Sequence, residues 1–205
     1  MNLLFNEQRF RALKNLQYVD VCRNHEAEEF PPIHMYEPDG RFMVEPLLKD
    51  DGTPYKVAIL IPTINNADEL EIVLDRLAQQ TYPDLEVVIA DSKSRDHTKD
   101  VCEKYGATWI DDPSTNRADA CNFALEQMDH DLVLFTDDDT IPPLDWAEKL
   151  IRWFKDPEVG AVGGPNFAPD DDSFGAKCAD VAFCTKFMTA GTRYGAKPRG
   201  ELVPI

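Results

Sequence analysis

The sequence predicts an α/β fold, a mostly parallel sheet flanked by helices. Two observations carry that expectation. From Lys56 onward, short apolar runs alternate with segments of helical periodicity, the pattern of successive strand–helix–strand units. Several of those runs end in polar, turn-rich loops, and one ends in three consecutive aspartates, Asp137-Asp138-Asp139. In an α/β sheet, ligands bind outside the carboxyl ends of the strands, so these loops are where function is expected.

The elements follow in order. Val57-Ala58-Ile59-Leu60-Ile61 is uninterrupted and apolar, as a strand buried on both faces must be. Leu70, Val73, Leu74 and Leu77 then mark one face of a helix. Asn66, with Glu69 three residues later, resembles a capping box at its start. Residues 85–90 predict the second strand. Asp96 is placed to cap a helix that stops at Gly106, and residues 107–110 predict a short third strand. A helix is expected over 116–128 and a fourth strand over 131–136. Residues 143–154 predict another helix with proline in its first turn, and 159–163 a fifth strand.

Residues 1–55 read as an N-terminal extension, and 56–205 as the domain proper. Within the extension, Phe10, Leu13, Leu16 and Gln17 suggest a short amphipathic helix. Pro38-Asp39-Gly40 between apolar flanks predicts the turn of a small hairpin, and residues 49–54 a linker. Residues 173–193 carry Phe174, Cys178, Val181, Ala182, Phe183, Phe187 and Met188 largely at helical spacing, which predicts a buried face. Leu202-Val203-Pro204-Ile205 reads as an unpaired end.

Composition narrows the function. Lys and Arg number 21 against 38 Asp and Glu, a net charge of −17. Nucleic-acid binding needs a basic face to neutralise phosphates, so it is not expected. The five cysteines show no pairing or metal spacing, and free thiols are expected. No stretch has the length and apolarity of a transmembrane helix, and the start lacks the regions of a signal peptide. The expected location is the cytoplasm, with a peripheral position at a membrane left open.

Three strand ends bear polar loops: Ile61-Pro62-Thr63-Ile64-Asn65-Asn66, Asp91-Ser92-Lys93-Ser94-Arg95-Asp96-His97-Thr98, and the aspartate triplet. Adjacent carboxylates repel unless a cation lies between them, and oxygen-only ligands suit Mg²⁺ or Mn²⁺. Asp91 suits a base or ribose, because a fixed carboxylate accepts hydrogen bonds strongly. The competing reading is that Asp91 and Ser94 shape the turn and that one aspartate of the triplet caps a helix.

In their order and spacing these segments resemble the family 2 glycosyltransferases, over residues 56 to about 164. Val57 to Asn66 resembles the family's opening strand and Pro-Thr-x-Asn loop. Asp91 to Thr98 resembles its Asp-x-Gly-Ser-x-Asp-Gly-Thr loop. Asn116-Arg117-Ala118-Asp119-Ala120-Cys121-Asn122 resembles the stretch that usually reads Gly-x-x-x-Ala-Arg-Asn. Phe135 to Asp139 resembles the Asp-x-Asp loop that holds the metal.

The resemblance implies a GT-A fold, Rossmann-like, and transfer of a sugar from a nucleoside diphosphate sugar, UDP-linked, to a hydroxyl acceptor with inversion. The acceptor would be a glycan or a lipid-linked molecule. It implies that Pro62, Thr63 and Glu69 line the nucleotide pocket and that Asp91 accepts from the uracil imide. Ser94 and Arg117 would approach the sugar nucleotide, and Asp137 and Asp138 would contact ribose or sugar. Asp139, with Asp137, would hold Mn²⁺ or Mg²⁺.

Some positions depart from the family. Ile64 stands for an aromatic, Lys93 and His97 for glycines, and Cys121 for an arginine. No carboxylate stands where the family carries its general base, so the catalytic residue is unassigned and a chain truncated before the acceptor half is expected. Two alternatives follow: a non-catalytic nucleotide-sugar-binding module, and a sugar-nucleotide pyrophosphorylase. The latter would carry a Gly-rich basic loop after the first strand, where this chain has Pro62 to Asn66.

Overall fold

The computed structural model describes residues 17–20, 34–36, 42–114, 116–163, 173–183 and 202–204. Three short strands come first: β1 (Gln17–Asp20), β2 (His34–Tyr36) and β3 (Phe42–Val44). β2 and β3 pair antiparallel, as the predicted hairpin requires, with its turn outside the described residues. The helix expected near residues 10–17 also lies outside them, except that Gln17 begins a strand. The predicted linker is a tied turn: Gly52, at φ 81, donates to the Lys49 carbonyl, and Lys49 N–H donates to the Thr53 carbonyl.

The main sheet contains β4 (Val57–Thr63), β5 (Leu85–Asp91), β6 (Thr108–Asp111) and β7 (Leu132–Phe135). Its order is β6-β5-β4-β7 and every pairing is parallel. β4 is buried along all seven residues, which explains its unbroken apolar run. Burying each of its large aliphatic side chains contributes roughly 1.5–3 kcal/mol.

Helices alternate with these strands. α1 (Ala67–Leu77) buries Ala67, Leu70, Val73, Leu74 and Leu77, the stripe read from the sequence. The Asn66 side chain makes no cap; the Ala67 N–H is taken instead by Asp96 Oδ2 at 3.0 Å. α2 (Thr98–Tyr105) ends at Gly106 with φ 67. Gly106 N–H reaches the Glu103 carbonyl and Ala107 N–H the Cys102 carbonyl, a Schellman motif.

α3 (Arg117–Leu125) presents Ala120 and Ala124 to Ala58, Leu60, Val88 and Ala90 of the sheet. Its small residues allow a close helix–sheet approach. Asn116 caps it, accepting from Asp119 N–H while its own amide donates to the Asp119 carboxylate. α4 (Trp146–Ile151) is shorter than expected and tightens into a 3-10 turn over Arg152–Lys155. Its start is delayed past Pro142-Pro143-Leu144, where a proline disfavours helical backbone in the residue before it. Buried Gln80 bridges this entry, donating to the Pro143 carbonyl at 2.7 Å and accepting from Ala147 N–H at 3.1 Å.

The predicted fifth strand forms but pairs elsewhere. β8 (Val159–Gly163) runs parallel to β1, and β9 (Leu202–Pro204) runs antiparallel to β1, giving a three-stranded sheet in the order β8-β1-β9. The end that read as unpaired is therefore a paired strand. Between β8 and β9 lies α5 (Phe174–Phe183), the first part of the predicted helix, with Phe174 84 % exposed. The chain divides into two compact units: one takes in Pro32–Glu148, the other Lys149–Ile205 with the segment that carries β1. Among the described residues Cys102, Cys121 and Cys178 are free thiols, as expected.

Candidate functional site

Strand order reverses at β4: β5 and β6 lie on one side of it and β7 on the other. The carboxyl ends of strands at such a reversal flank a crevice suited to a ligand. Thr63 closes β4 and is buried; its hydroxyl donates to Asp138 Oδ2 at 2.6 Å, a short charge-assisted bond across the reversal. Arg117, the first residue of α3, forms an ion pair with half-buried Asp137. Thr63, Arg117, Asp137 and Asp138 therefore meet at one place.

Asp139 beside them is exposed and has no hydrogen-bond or ion-pair partner among the described residues. Pro62 is buried within β4, in register with Ala90. Glu69 lies exposed on the first turn of α1, and no bond joins it to the cluster.

One strand over, Asp91 ends β5 and is only 2 % exposed. Its Oδ1 accepts from Ser94 N–H at 2.9 Å and its Oδ2 from the Trp109 indole N–H at 2.9 Å. Carboxylate oxygens each accept two bonds, so acceptor capacity remains on both.

The loops after β4 and β5 are sewn together. Asn65 N–H donates to Ser94 Oγ at 2.8 Å, Arg95 N–H to Asn65 Oδ1 at 2.7 Å, and Ser92 N–H to the Thr63 carbonyl at 3.0 Å. Asn65 and Lys93 both adopt left-handed backbone, φ 52 and φ 64.

Two residues of this network escaped the sequence reading. Asp112 is fully buried just after β6 and accepts from the Ser92 hydroxyl at 2.8 Å, from Ser114 N–H at 3.0 Å and from the Ser114 hydroxyl. Trp109 is the indole donor to Asp91. The sequence did offer a signal for Asp112: a short strand ending in carboxylates, as at β5 and β7.

Electrostatics around the cluster are set by burial and local donors. Burial alone would raise the Asp96 carboxyl, but bonds from Thr98 and Ala67 outweigh it and hold it below its ordinary value. Burial, reinforced by the Asp91 carboxylate, pushes the Cys102 thiol up to about 11, so it stays protonated. Burial also raises Cys121, opposed by Arg117 one turn earlier on α3.

The aspartates fit a hard divalent cation by donor chemistry. Among the described residues no three His, Cys, Asp or Glu side chains converge into a closed cage. Mg²⁺ and Mn²⁺ do not require one, since one or two carboxylates with substrate phosphates suffice. Asp139 is free for that role, and Asp137 shares its charge with Arg117.

Comparison with known proteins identifies the family and the fold. Residues 58–198 match the family described as Glycosyl transferase family 2. Glycosyltransferase AglE of Haloferax volcanii is 28% identical over 116 residues, 53% of this chain and 38% of that protein. The O-antigen chain rhamnosyltransferase RfbN of Salmonella typhimurium is 32% identical over 115 residues, 53% of this chain and 36% of that protein. A solved mannosyltransferase from Pyrobaculum calidifontis, in complex with GDP-Man and Mn²⁺, superposes with a TM-score of 0.52 at 28% identity. That match covers 70% of this chain and 41% of the mannosyltransferase, so the chain spans about two fifths of the length of such relatives. No helix among the described residues is long and apolar enough to cross a membrane. The parallel sheet, its reversal at β4 and the matched residues together lead to one conclusion: the chain belongs to glycosyl transferase family 2 and has its GT-A fold.

Proposed function

We propose that this chain binds a nucleoside diphosphate sugar in the crevice between β4 and β7, and serves inverting transfer of the sugar to an acceptor hydroxyl with Mn²⁺ or Mg²⁺. The observation that carries the reading is the meeting of Thr63, Arg117, Asp137 and Asp138 at the strand reversal, with Asp139 free beside them. The mannosyltransferase solved with GDP-Man and Mn²⁺ supports both the ligand class and the metal.

Asp139 and Asp137 would hold the metal, which when bound offsets the charge that develops on a leaving diphosphate. Arg117 supplies a cation near the same place and neutralises Asp137 in its absence. Thr63 holds Asp138 in one orientation for ribose or sugar hydroxyls. Pro62 and Glu69 would border the nucleotide, with Ser94 holding the loop that faces it. A carboxylate would take the acceptor's proton as it attacks. An acceptor hydroxyl on a glycan, free or lipid-linked, suits the kinship with an O-antigen chain rhamnosyltransferase.

Asp91 offers acceptors only, so it selects a base that presents a ring N–H. Uracil and guanine present one, whereas the corresponding cytosine nitrogen is itself an acceptor. A site organised around one such bond rejects the wrong base by leaving a buried group unpaired.

Titration calorimetry of UDP, GDP and CDP, with and without Mn²⁺, tests the reading. The parent is expected to bind UDP or GDP more tightly than CDP, and Mn²⁺ to strengthen binding. Asp139→Ala should weaken the Mn²⁺-dependent binding by more than about tenfold while leaving the fold intact. Asp91→Ala should erase the preference over CDP. Equal affinity of parent and Asp139→Ala would end the metal assignment, and equal binding of all three nucleotides by the parent would end that of Asp91.

A further inference from the structure

Asp91 is not positioned by its own loop alone. Its strand, β5, pairs in parallel with β6, so that Asp91 faces Asp111 and Ile89 faces Trp109. Side chains two apart on a strand share a face, so Trp109 lies diagonally beside Asp91, within reach of a long aromatic side chain. Two contacts then hold Asp91 from the β6 side, and a third holds its neighbour Ser92. The Trp109 indole N–H donates to Oδ2 at 2.9 Å, Asp112 N–H donates to the Asp91 carbonyl at 2.8 Å, and the Asp112 carboxylate accepts from the neighbouring Ser92 hydroxyl at 2.8 Å. The indole is itself held: the Lys99 ammonium of α2 lies 4.5 Å from the centre of its ring.

We propose that Trp109 is a positioning residue for base selection: with Ser94 N–H it pins both oxygens of Asp91, fixing which edge of the carboxylate meets the nucleobase. The inference rests on Asp91 being the base acceptor and names the group that makes it selective. The geometry has a chemical corollary. Two N–H donors, one on each oxygen, require an acceptor at both positions. An amide at residue 91 would set its own NH₂ against one of those donors. Asp91→Asn is therefore a poor replacement while the indole N–H is present, and a better one once that donor is gone. A tryptophan that merely filled space would not care which atom stands at its ring nitrogen.

The test uses the full 205-residue chain and the ratio of its affinities for UDP and CDP in Mn²⁺, with GDP replacing UDP if the parent prefers GDP. Trp109→Phe keeps an aromatic ring over Lys99 and removes the donor. Site-specific replacement of the Trp109 indole by a benzothiophene removes only the N–H, and keeps the experiment decisive if the phenylalanine variant folds poorly. A preference on the order of tenfold in the parent should fall to about twofold in either variant, while affinity for inorganic pyrophosphate with Mn²⁺ stays unchanged.

Combined with Asp91→Asn, loss of the donor should be less harmful to thermal stability than the sum of the two single changes. If the parent discriminates and Asp91→Ala abolishes that discrimination, but both Trp109 variants retain it, the positioning role is overturned and the Asp91 reading survives. If the parent does not discriminate at all, the Asp91 reading fails and takes this inference with it. Strict additivity with Asp91→Asn also overturns it.

Discussion

Lys93 stands where the family motif has glycine, and its backbone is left-handed at φ 64. The substitution has not straightened the loop; the lysine bears a conformation that suits glycine. An L-residue there costs roughly 1–2 kcal/mol, part of which glycine would return as extra freedom of the unfolded chain. Lys93→Gly is therefore expected to stabilise the protein by about 0.5–1 kcal/mol, and Lys93→Ala to give no such gain. Urea denaturation of the three proteins checks this, and a less stable glycine variant would show that the lysine side chain contributes something the backbone argument omits. Residues of this kind differ in legibility. The aspartate triplet could be read because consecutive charges behind an apolar strand are conspicuous in one dimension. Trp109 could not, because its bond to Asp91 depends on the register between β5 and β6, which no local pattern states.

Asp96 shows how elements are joined as well as formed. One carboxylate caps two helices: Oδ2 takes Ala67 N–H at the start of α1, and Oδ1 takes both the N–H and hydroxyl of Thr98 at the start of α2. The sequence reading gave Asp96 the second role and gave the first to Asn66, since capping boxes are local and a cap supplied from another loop is not. Because Asp96 is held below its ordinary 3.8, its stabilisation is complete above that value and drains away as pH falls through the folded value. Asp96→Asn should be less stable than the parent by about 1 kcal/mol near neutral pH, with the gap narrowing in acid. Denaturation midpoints measured down the pH scale would show it; a gap that widens in acid would contradict the sign. Helix and strand positions in the main sheet were legible from periodicity, whereas the partner of β8 was not. A run such as Val159–Gly163 announces a strand but not its neighbour, and here the neighbour lies in β1, far back in the chain.

At the scale of the molecule, two sheets differ in how they are assembled. The four strands of the main sheet come from one continuous stretch, each close in sequence to the next. The other sheet joins β8 and β9 only through β1, which lies between them. Removing residues 1–20 should therefore abolish pairing of both β8 and β9 and leave the main sheet folded, with Asp139-dependent nucleotide binding retained. Hydrogen exchange would report protection in β4 and β5 and its loss over Val159–Gly163; retained protection there would mean that β8 has another partner. The arrangement also orders events in time. A chain leaving the ribosome completes β7 before β8 and β9 are made, so the main sheet can close during synthesis. β1 precedes the other described strands and stays unpaired until β8 (Val159–Gly163) has been made. The closure entropy of so long a loop grows only slowly with its length, so the delay is one of sequence and not of stability. During that wait the edges of an early strand are exposed to other nascent chains, an aggregation hazard that pairing with β8 and then β9 removes.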